Sequence, residues 1–170
     1  MQLNQLSDKK DWYAVYTVVR HEKVVHQNLT DQGVTSFLPL IEVVSRWKDR
    51  KKKVSLPLFP GYLFVHTDLE DKLRILKPRG VVRILGFNGN PCPIPYSQIE
   101  NIQKLISSNL SYDPYKYFIN GKEVIVVKGP LEGAKGKIIE RRGNYRLILA
   151  VDLIQSAVSV EVDIDDVELI

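Results

Sequence analysis

Cysteine, methionine and long apolar runs are scarce in this chain of 170 residues. Cys92 is the only cysteine, so no internal disulfide can form, and we expect a fold that depends on its core in a reducing compartment. No stretch reaches the roughly 18 consecutive apolar residues that a membrane-spanning helix requires. The segment Met1 to Asp11 is polar and lacks the apolar region of a signal peptide. These absences predict a cytoplasmic protein without a membrane contact.

Residue patterns for catalysis and metal binding are also missing. His21 and His26 lie five residues apart, off a common helical face, and His66 stands alone in an apolar run. The glycines of segment 129–136 are not followed by the Lys-Ser/Thr pair of a phosphate-binding loop. The acidic residues of segment 163–166 could mimic a metal site but fit a solvated loop better. We therefore expect no enzymatic activity and no cofactor.

Positive charge is concentrated in the N-terminal part of the chain. Residues 1–109 contain 16 Lys+Arg and 10 Asp+Glu, a net charge of +6, whereas residues 121–170 contain 7 and 9, a net charge of −2. Residues 110–120 are balanced, with one of each sign. A nucleic acid partner would therefore meet the N-terminal part first.

The densest cluster of cations occupies eight positions, with Asp49 as the only opposing charge. Its cations are Arg46, Lys48, Arg50, Lys51, Lys52 and Lys53. Such a run cannot be buried, so we expect an exposed hairpin tip. The tip could serve only to keep a sheet edge soluble, or it could contact phosphates. Trp47 among the cations favours nucleic acid, since an exposed indole can stack on a base.

The stretch Leu56–Val65 is the densest run of aromatic and branched apolar residues and predicts a buried central strand. Pro57 and Pro60 cannot donate to a sheet ladder, so the regular strand should begin at Tyr62, after a bend at Pro60-Gly61. Such bends occur where a surface is shaped for contact, although a core strand with an irregular start is the simpler interpretation.

The N-terminal part alternates between strand and helix patterns. Composition predicts further strands at Trp12–Arg20, Thr35–Trp47 and Val81–Phe87. Apolar residues at helical spacing predict three helices. The first is His21–Gln32, with Val25 and Leu29 on its apolar face, and the second is Asp68–Leu76, with Leu69, Leu73 and Leu76. The third is opened by Pro95 and has Ile99, Ile102 and Ile106 as its apolar stripe. This order matches the split β-α-β plan of ferredoxin-like domains plus one terminal helix.

The last 50 residues have the pattern of a small barrel. Segment 107–120 is polar, with scattered aromatics and no period, and predicts a linker. Beyond it, short Val/Ile/Leu-rich runs separated by turn residues predict strands at Glu123–Lys128, Lys137–Glu140, Tyr145–Val151 and Ala157–Asp163.

Two motifs resemble the NusG family of transcription elongation factors. The first combines Trp12-Tyr13-Ala14-Val15-Tyr16 with Pro57-Leu58-Phe59-Pro60-Gly61-Tyr62-Leu63-Phe64-Val65. The second is Gly121-Lys122-Glu123-Val124 with Gly129-Pro130-Leu131-Glu132-Gly133-Ala134-Lys135-Gly136-Lys137-Ile138, which looks like a KOW motif. The resemblance implies an α+β chain with a ferredoxin-like domain at 1–109, a linker at 110–120 and a five-stranded SH3-like KOW barrel at 121–170.

The resemblance also implies a partner for the aromatic residues. The N-terminal domain of this family binds the clamp helices of RNA polymerase's largest subunit through an aromatic depression. The matching positions are Tyr16, Phe59, Tyr62, Phe64 and, more loosely, Phe87. Phe and Tyr offer a large contact area at low entropic cost, which favours a contact role, although the same residues could be simple core.

Further contacts are expected with nucleic acid and at the barrel. Candidate contacts to upstream or non-template DNA are Arg20, His21, Lys23, Lys48, Arg50, Lys51, Lys52, Lys53 and Arg79. In relatives the barrel reaches the termination factor Rho or a ribosomal protein, and the matching contacts here are Leu153 and Ile154, which could also be core. We expect a monomer that suppresses pausing and termination in bacterial transcription.

Three functional interpretations are compatible with the sequence. The basic hairpin running into the central strand looks most like operon-specific paralogues, including antiterminators of polysaccharide operons. A housekeeping elongation factor is the second. An RNA-binding or ribosome-associated protein is the third, because KOW barrels and ferredoxin-like sheets also serve there.

Overall fold

The computed structural model describes residues 9–70, 72–117 and 120–170. Most of the predicted polar N-terminus therefore lies outside the described residues, as do two positions of the predicted linker, Phe118 and Ile119. The described chain forms two compact units. The first contains residues up to Leu38 and Glu42–Ile94, and the second contains Pro39–Ile41 and Pro95–Ile170.

The first unit is built from eight strands and two helices within the described residues. In chain order they are β1 (Asp11–Thr17), α1 (Glu22–Asp31), β2 (Thr35–Phe37), β3 (Leu40–Trp47), β4 (Arg50–Pro57), β5 (Tyr62–Thr67), α2 (Lys72–Leu76), β6 (Val81–Ile84), β7 (Gly86–Phe87) and β8 (Asn90–Pro91).

The main sheet of this unit has the strand order β2-β5-β1-β6. β1 lies in the middle and pairs antiparallel with β5 and β6, so that Tyr16 is opposite both Tyr62 and Arg83. This order and the element sequence confirm the predicted ferredoxin-like plan, with the stretch after Gly61 as a central strand.

The core of the first unit forms between the sheet and the helices. Val15, Leu63 and Val65 are fully buried on the two central strands, and Val25 and Leu29 are fully buried on α1. The predicted apolar face of the first helix is therefore confirmed. Burial of such branched side chains is the main stabilising term for the unit.

Three local predictions in this unit are wrong. The predicted strand Thr35–Trp47 is broken at Leu38-Pro39, because proline cannot continue the ladder. Leu69 has a φ of +66°, so it cannot start the second helix. Leu73 is 77% exposed, and Ile75 is the buried residue of α2.

The predicted strand Val81–Phe87 is also divided. β6 ends at Ile84, and Phe87 lies in the small β7–β8 hairpin, which turns at Asn88-Gly89. Both turn residues have positive φ, +50° and +76°, as a tight hairpin turn requires. The hairpin projects Phe87, which is 72% exposed.

The second unit contains one α-helix, two short 3-10 helices (Asp152–Ile154 and Ile164–Asp166) and six strands within its described residues, apart from the start of β3. The α-helix and the strands are α3 (Tyr96–Ser107), β9 (Tyr112–Tyr115), β10 (Lys122–Val126), β11 (Lys135–Arg141), β12 (Asn144–Val151), β13 (Ser156–Val162) and β14 (Val167–Leu169). The strands form one antiparallel sheet in the order β14-β10-β11-β12-β13-β9. The predicted β-rich C-terminal domain is confirmed.

Two of these six strands, β9 and β14, are not among the four that the sequence patterns located. β14 supplies the fifth strand that the resemblance implied. β9 lies inside the predicted linker and pairs with β13, which adds a sixth strand to the expected five. Pro114 sits within β9, and proline is tolerated there because β9 is an edge strand.

Helix α3 belongs to the second unit. It contacts β12, and Ile99, Ile102 and Leu105 are fully buried, whereas the predicted third stripe residue, Ile106, is only half-buried. The boundary between the two compact units therefore follows Ile94 and precedes the predicted linker. The domain limits 1–109, 110–120 and 121–170 stay a prediction.

Candidate binding surfaces

Two tyrosines form a partly exposed aromatic pair on the central strands of the first unit. Tyr16 on β1 and Tyr62 on β5 are register partners, and their ring centroids lie 5.3 Å apart. Arg83 on β6 is also opposite Tyr16, and its Cζ atom lies 5.9 Å from the ring centroid. The three side chains combine a large flat contact area with a cation and two phenol hydroxyls.

The bend before β5 sets the position of this pair. Gly61 has a φ of +84°, and a Cβ atom there would lie 3.3 Å from Cε2 of Tyr16. The Gly61 carbonyl accepts a hydrogen bond from the Thr17 amide at 2.8 Å, and the Gly61 amide donates to Oε1 of buried Glu22 at 2.8 Å. Both sides of the bend are therefore fixed by neighbouring elements.

Two other predicted aromatic residues lie in the core. Phe59 is 3% exposed and Phe64 is fully buried, and their rings meet edge to face at 6.2 Å. Phe64 also stacks on Phe37 at 6.1 Å. Strand alternation places Tyr62 and Phe64 on the same face of the sheet. These two phenylalanines are therefore buried, whereas the two tyrosines are partly exposed.

Arg83 was missed by the sequence analysis, and Phe87 lies in a different element. No local pattern in the sequence identifies Arg83, because this residue becomes a neighbour of Tyr16 only when β6 pairs with β1. Phe87 belongs to the β7–β8 hairpin and is not part of the four-stranded sheet. No ring contact joins Phe87 to another described aromatic residue.

A first group of predicted cations surrounds the start of α1. Arg20 has a φ of +70°, and Lys23 donates from Nζ to the Ser55 carbonyl at 2.6 Å. The Val18 amide donates to the Gly80 carbonyl at 2.8 Å, which holds the turn that carries exposed Arg79 against the end of β1.

An apolar groove of about 330 Å³ lies beside this group. It is lined by Val19, Arg20, Glu22, Lys23, Ser55, Leu56, Pro57 and Pro60. Its cationic rim and apolar floor suit a partner that is itself amphipathic.

The second group of cations is the tip of the β3–β4 hairpin. The hairpin forms a separate two-stranded sheet, and all residues of segment 46–53 are exposed. Trp47 is 68% exposed, so it contributes little to any core. Residues 46–53 with this geometry are called the basic tip below.

The predicted barrel contacts are in different environments. Ile154 is 7% exposed and belongs to the core, whereas Leu153 is half-buried. The adjacent Asp152 is held by Gln98 of α3, whose Nε2 donates to the carboxylate at 2.6 Å and whose Oε1 accepts from the Asp152 amide at 3.1 Å. Tyr117 donates to the same carboxylate at 2.9 Å, and this hydrogen bond raises the pKa of Tyr117.

Among the described residues no group of three or more His, Cys, Asp or Glu side chains could hold a metal ion. Within the described ranges, none of the helices has the length and apolar character needed to cross a bilayer.

Comparisons with known proteins agree on one family. The family model described as "Transcription termination factor nusG" matches residues 10–103. The chain is 29% identical to the transcription termination/antitermination protein NusG of Pasteurella multocida, over 98% of each chain. It is 30% identical to the NusG protein of Thermus thermophilus, over 83% of this chain and 89% of that one.

A solved structure shares the fold. The structure titled "Domain interaction in Thermotoga maritima NusG" matches with a TM-score of 0.56 at 23% identity, over 95% of this chain and 98% of that chain. At 23% identity this match supports the fold and carries no information on function.

Proposed function

The chain belongs to the NusG family of transcription factors, and from this premise we propose that it binds the clamp helices of RNA polymerase and suppresses pausing and termination. The observation that carries the proposal is the Tyr16–Tyr62 pair beside the fixed bend at Gly61. Coiled-coil helices carry charged side chains at the positions that flank their apolar seam. The paired rings and Arg83 offer matching apolar and cationic contacts.

The buried phenylalanines have a supporting role in this proposal. Phe59 and Phe64 are buried and pack edge to face, and Phe64 lies on the same strand as Tyr62, so this packing helps to fix the strand from which Tyr62 projects. A rigid surface loses little entropy on binding, which raises affinity. Phe87 would contact the polymerase from the separate β7–β8 hairpin, where it is 72% exposed.

The proposed activity needs no chemical step. A factor that binds the closed clamp more tightly than the open clamp shifts polymerase toward the closed state by its difference in binding free energy. The two groups of cations would add sequence-independent contacts to the upstream duplex and non-template strand. Such a protein acts in the bacterial cytoplasm, where transcription takes place.

We further propose that the target is a small set of operons. The motif resemblance to operon-specific paralogues supports this choice, and a housekeeping elongation factor is the alternative. In either case Leu153 is the better candidate for a contact between the barrel and Rho or a ribosomal protein, because Ile154 is buried.

Affinity capture of RNA polymerase tests the central proposal. Nuclease-treated lysate is passed over the wild-type chain, the Tyr16→Ala/Tyr62→Ala variant and the Tyr96→Ala control, which removes a 62% exposed tyrosine from α3. We expect the wild type and the control to retain polymerase. The amount of polymerase retained by the double variant should be at least about tenfold lower, since truncation of a central interface aromatic typically costs more than about 1 kcal/mol of binding free energy. Recovery of polymerase only in the absence of nuclease would support the RNA-binding alternative.

Nascent-transcript sequencing in a deletion strain tests the range of targets. We expect lost readthrough in one or a few operons. A change across the genome would identify a housekeeping factor instead.

A further inference from the structure

The β3–β4 hairpin has no assigned role in the fold of the first unit. Within the part of the chain that the structure describes, its two strands pair only with each other, and the core sheet consists of four other strands. Each strand has eight residues, which corresponds to a length of about 27 Å. The base is anchored by the hydrogen bond from Lys23 to the Ser55 carbonyl. The hairpin is therefore a ribbon fixed at one end, with the basic tip at the other.

The cations of the basic tip lie on both faces of this ribbon. Successive side chains of a strand point to opposite faces, so Arg50 and Lys52 share one face and Lys51 and Lys53 share the other. Among the described residues these four cations form no ion pair, and all four are exposed. Segment 46–53 contains six cations and one anion. A ribbon that lay flat on a single anionic surface would use only one of these faces.

A groove between two phosphate backbones uses both faces. The major groove of B-form DNA is about 12 Å wide and about 8.5 Å deep, and it admits a two-stranded β-ribbon. The charged run Arg50–Lys53 extends for about 10 Å, close to the depth of the groove. We propose that the basic tip enters the major groove of double-stranded DNA, with Arg50 and Lys52 facing one backbone and Lys51 and Lys53 facing the other.

The same geometry distinguishes duplex DNA from other nucleic acids. The major groove of an RNA duplex is deep and too narrow for side chains to read, so it does not admit a ribbon. A single strand has one backbone and would engage one face. In the groove Trp47 would contact base edges and thymine methyl groups, whereas on a single strand it would stack on a base.

This inference rests on the proposed function, since it assigns the duplex contact of the polymerase-binding unit to one element. It adds the form of the nucleic acid, the groove and the two-sided mode of contact. Contact through phosphates predicts binding to duplex DNA of any sequence.

The test measures binding of the full chain by fluorescence anisotropy. The probes are a labelled DNA duplex of about 20 base pairs, or roughly two helical turns, one of its strands alone, and an RNA duplex of the same sequence. Each affinity is measured over a series of salt concentrations. We expect the DNA duplex to bind most tightly and with the steepest salt dependence. Equal or tighter binding of the single strand or of the RNA duplex would overturn the proposal.

Paired charge variants test whether both faces are used. Arg50→Gln/Lys52→Gln neutralises one face, Lys51→Gln/Lys53→Gln neutralises the other, and Lys116→Gln/Lys128→Gln removes the same charge from two exposed lysines elsewhere. We expect each ribbon pair to lower the slope of log affinity against log salt by about 2, and the affinity at 100 mM salt by roughly 10- to 60-fold. The control pair should change neither value beyond the spread of replicate measurements. A ribbon pair that behaves like the control would show one-sided contact and would overturn the proposal.

Polymerase capture separates this proposal from the proposed function. The ribbon variants should retain polymerase, because Tyr16 and Tyr62 are unchanged in them. If they retain polymerase and lose no duplex affinity, the groove proposal fails and the proposed function stands. If the wild type binds duplex DNA through both faces but does not retain polymerase, the proposed function fails and the groove proposal stands.

Discussion

At the scale of single residues, the bend before β5 is held by a buried carboxylate. Oε1 of Glu22 accepts a hydrogen bond from the Gly61 amide at 2.8 Å, and Glu22 is 3% exposed. A buried amide without an acceptor carries the full cost of its desolvation. Glu22 therefore links the first turn of α1 to the strand that presents Tyr62.

Substitution of Glu22 tests this link. We expect Glu22→Ala to lower the free energy of unfolding by about 1 to 3 kcal/mol, because the Gly61 amide loses its acceptor. Glu22→Gln keeps an acceptor oxygen and should cost about 1 kcal/mol or less. Urea denaturation followed by circular dichroism measures both. Equal losses in the two variants would show that the carboxylate charge, and not the hydrogen bond, matters.

Gly61 allows a comparison between two glycines of similar backbone conformation. Gly61 and Gly89 have φ values of +84° and +76°, but a Cβ atom would meet the Tyr16 ring at 3.3 Å only at Gly61. We expect Gly89→Ala to cost the conformational term of about 1 kcal/mol, and Gly61→Ala to cost more and to weaken polymerase capture. Equal unfolding free energies for the two variants, measured in urea, would contradict this expectation.

His26 predicts a dependence of stability on pH. Burial lowers the pKa of His26 from its usual value of 6.5, and Nδ1 lies 2.8 Å from the Ser36 hydroxyl oxygen. Because the folded state binds the proton less readily than the unfolded state, the stability that neutral His26 contributes is fully present above pH 6.5. This stability is lost as the pH falls below 6.5 and through the lower pKa of His26 in the folded state.

The stability difference between the wild type and His26→Gln should therefore shrink as the pH is lowered from 7.5 to 5. Urea denaturation of both proteins at several pH values measures this difference. The other titrating groups are the same in both proteins, so their contributions cancel in the difference. A difference that stays constant over this range would contradict the assignment.

The candidate site could be predicted only in part from the sequence. The motif singled out Tyr16 and Tyr62, and the register of β1 against β5 places them on a common face. It could not show that Phe64 is fully buried while Tyr62 is partly exposed, because both residues lie on that face and differ only in what packs over them. Arg83 required the register of β6 against β1, which is a long-range property.

At the scale of elements, α3 shows where local patterns stop being informative. Its helical spacing and its start after Pro95 were predictable, since both depend on nearby residues. Its partner was not, because an apolar stripe has the same pattern whichever unit it covers. β9 was missed for a related reason. The sequence Tyr-Asp-Pro-Tyr does not alternate between apolar and polar residues as a half-buried strand does. Its extended conformation depends on pairing with β13, which the local sequence does not indicate.

Hydrogen exchange can test the packing of α3. Ile102 is fully buried on α3, which contacts β12, whereas Ile106 is only half-buried. We expect Ile102→Ala to destabilise the second unit by about 2 to 5 kcal/mol and to speed amide exchange in β12 but not in β5. Ile106→Ala is the matched control and should have a smaller effect. Faster exchange in β5 alone would place the helix with the first unit.

At the scale of the whole molecule, the two units differ in the sign of their charge. Residues 1–94 contain 15 Lys+Arg and 9 Asp+Glu, whereas residues 95–170 contain 9 and 11. The net charges are +6 and −2, and both proposed cation groups lie before residue 95. Electrostatic attraction to nucleic acid should therefore be a property of the first unit.

The fragment 95–170 gives the sharpest test of this division. It contains the helix and all six strands of the C-terminal sheet, so we expect it to fold, but its net negative charge should repel a phosphate backbone. Its affinity for a DNA duplex at 100 mM salt should be at least about 100-fold below that of the full chain, because it lacks the basic tip. Circular dichroism of the fragment provides the folding control. If the folded fragment binds the duplex with the salt dependence of the full chain, the contact must come from the barrel, where Arg141 and Arg142 at the β11–β12 turn would be the candidates.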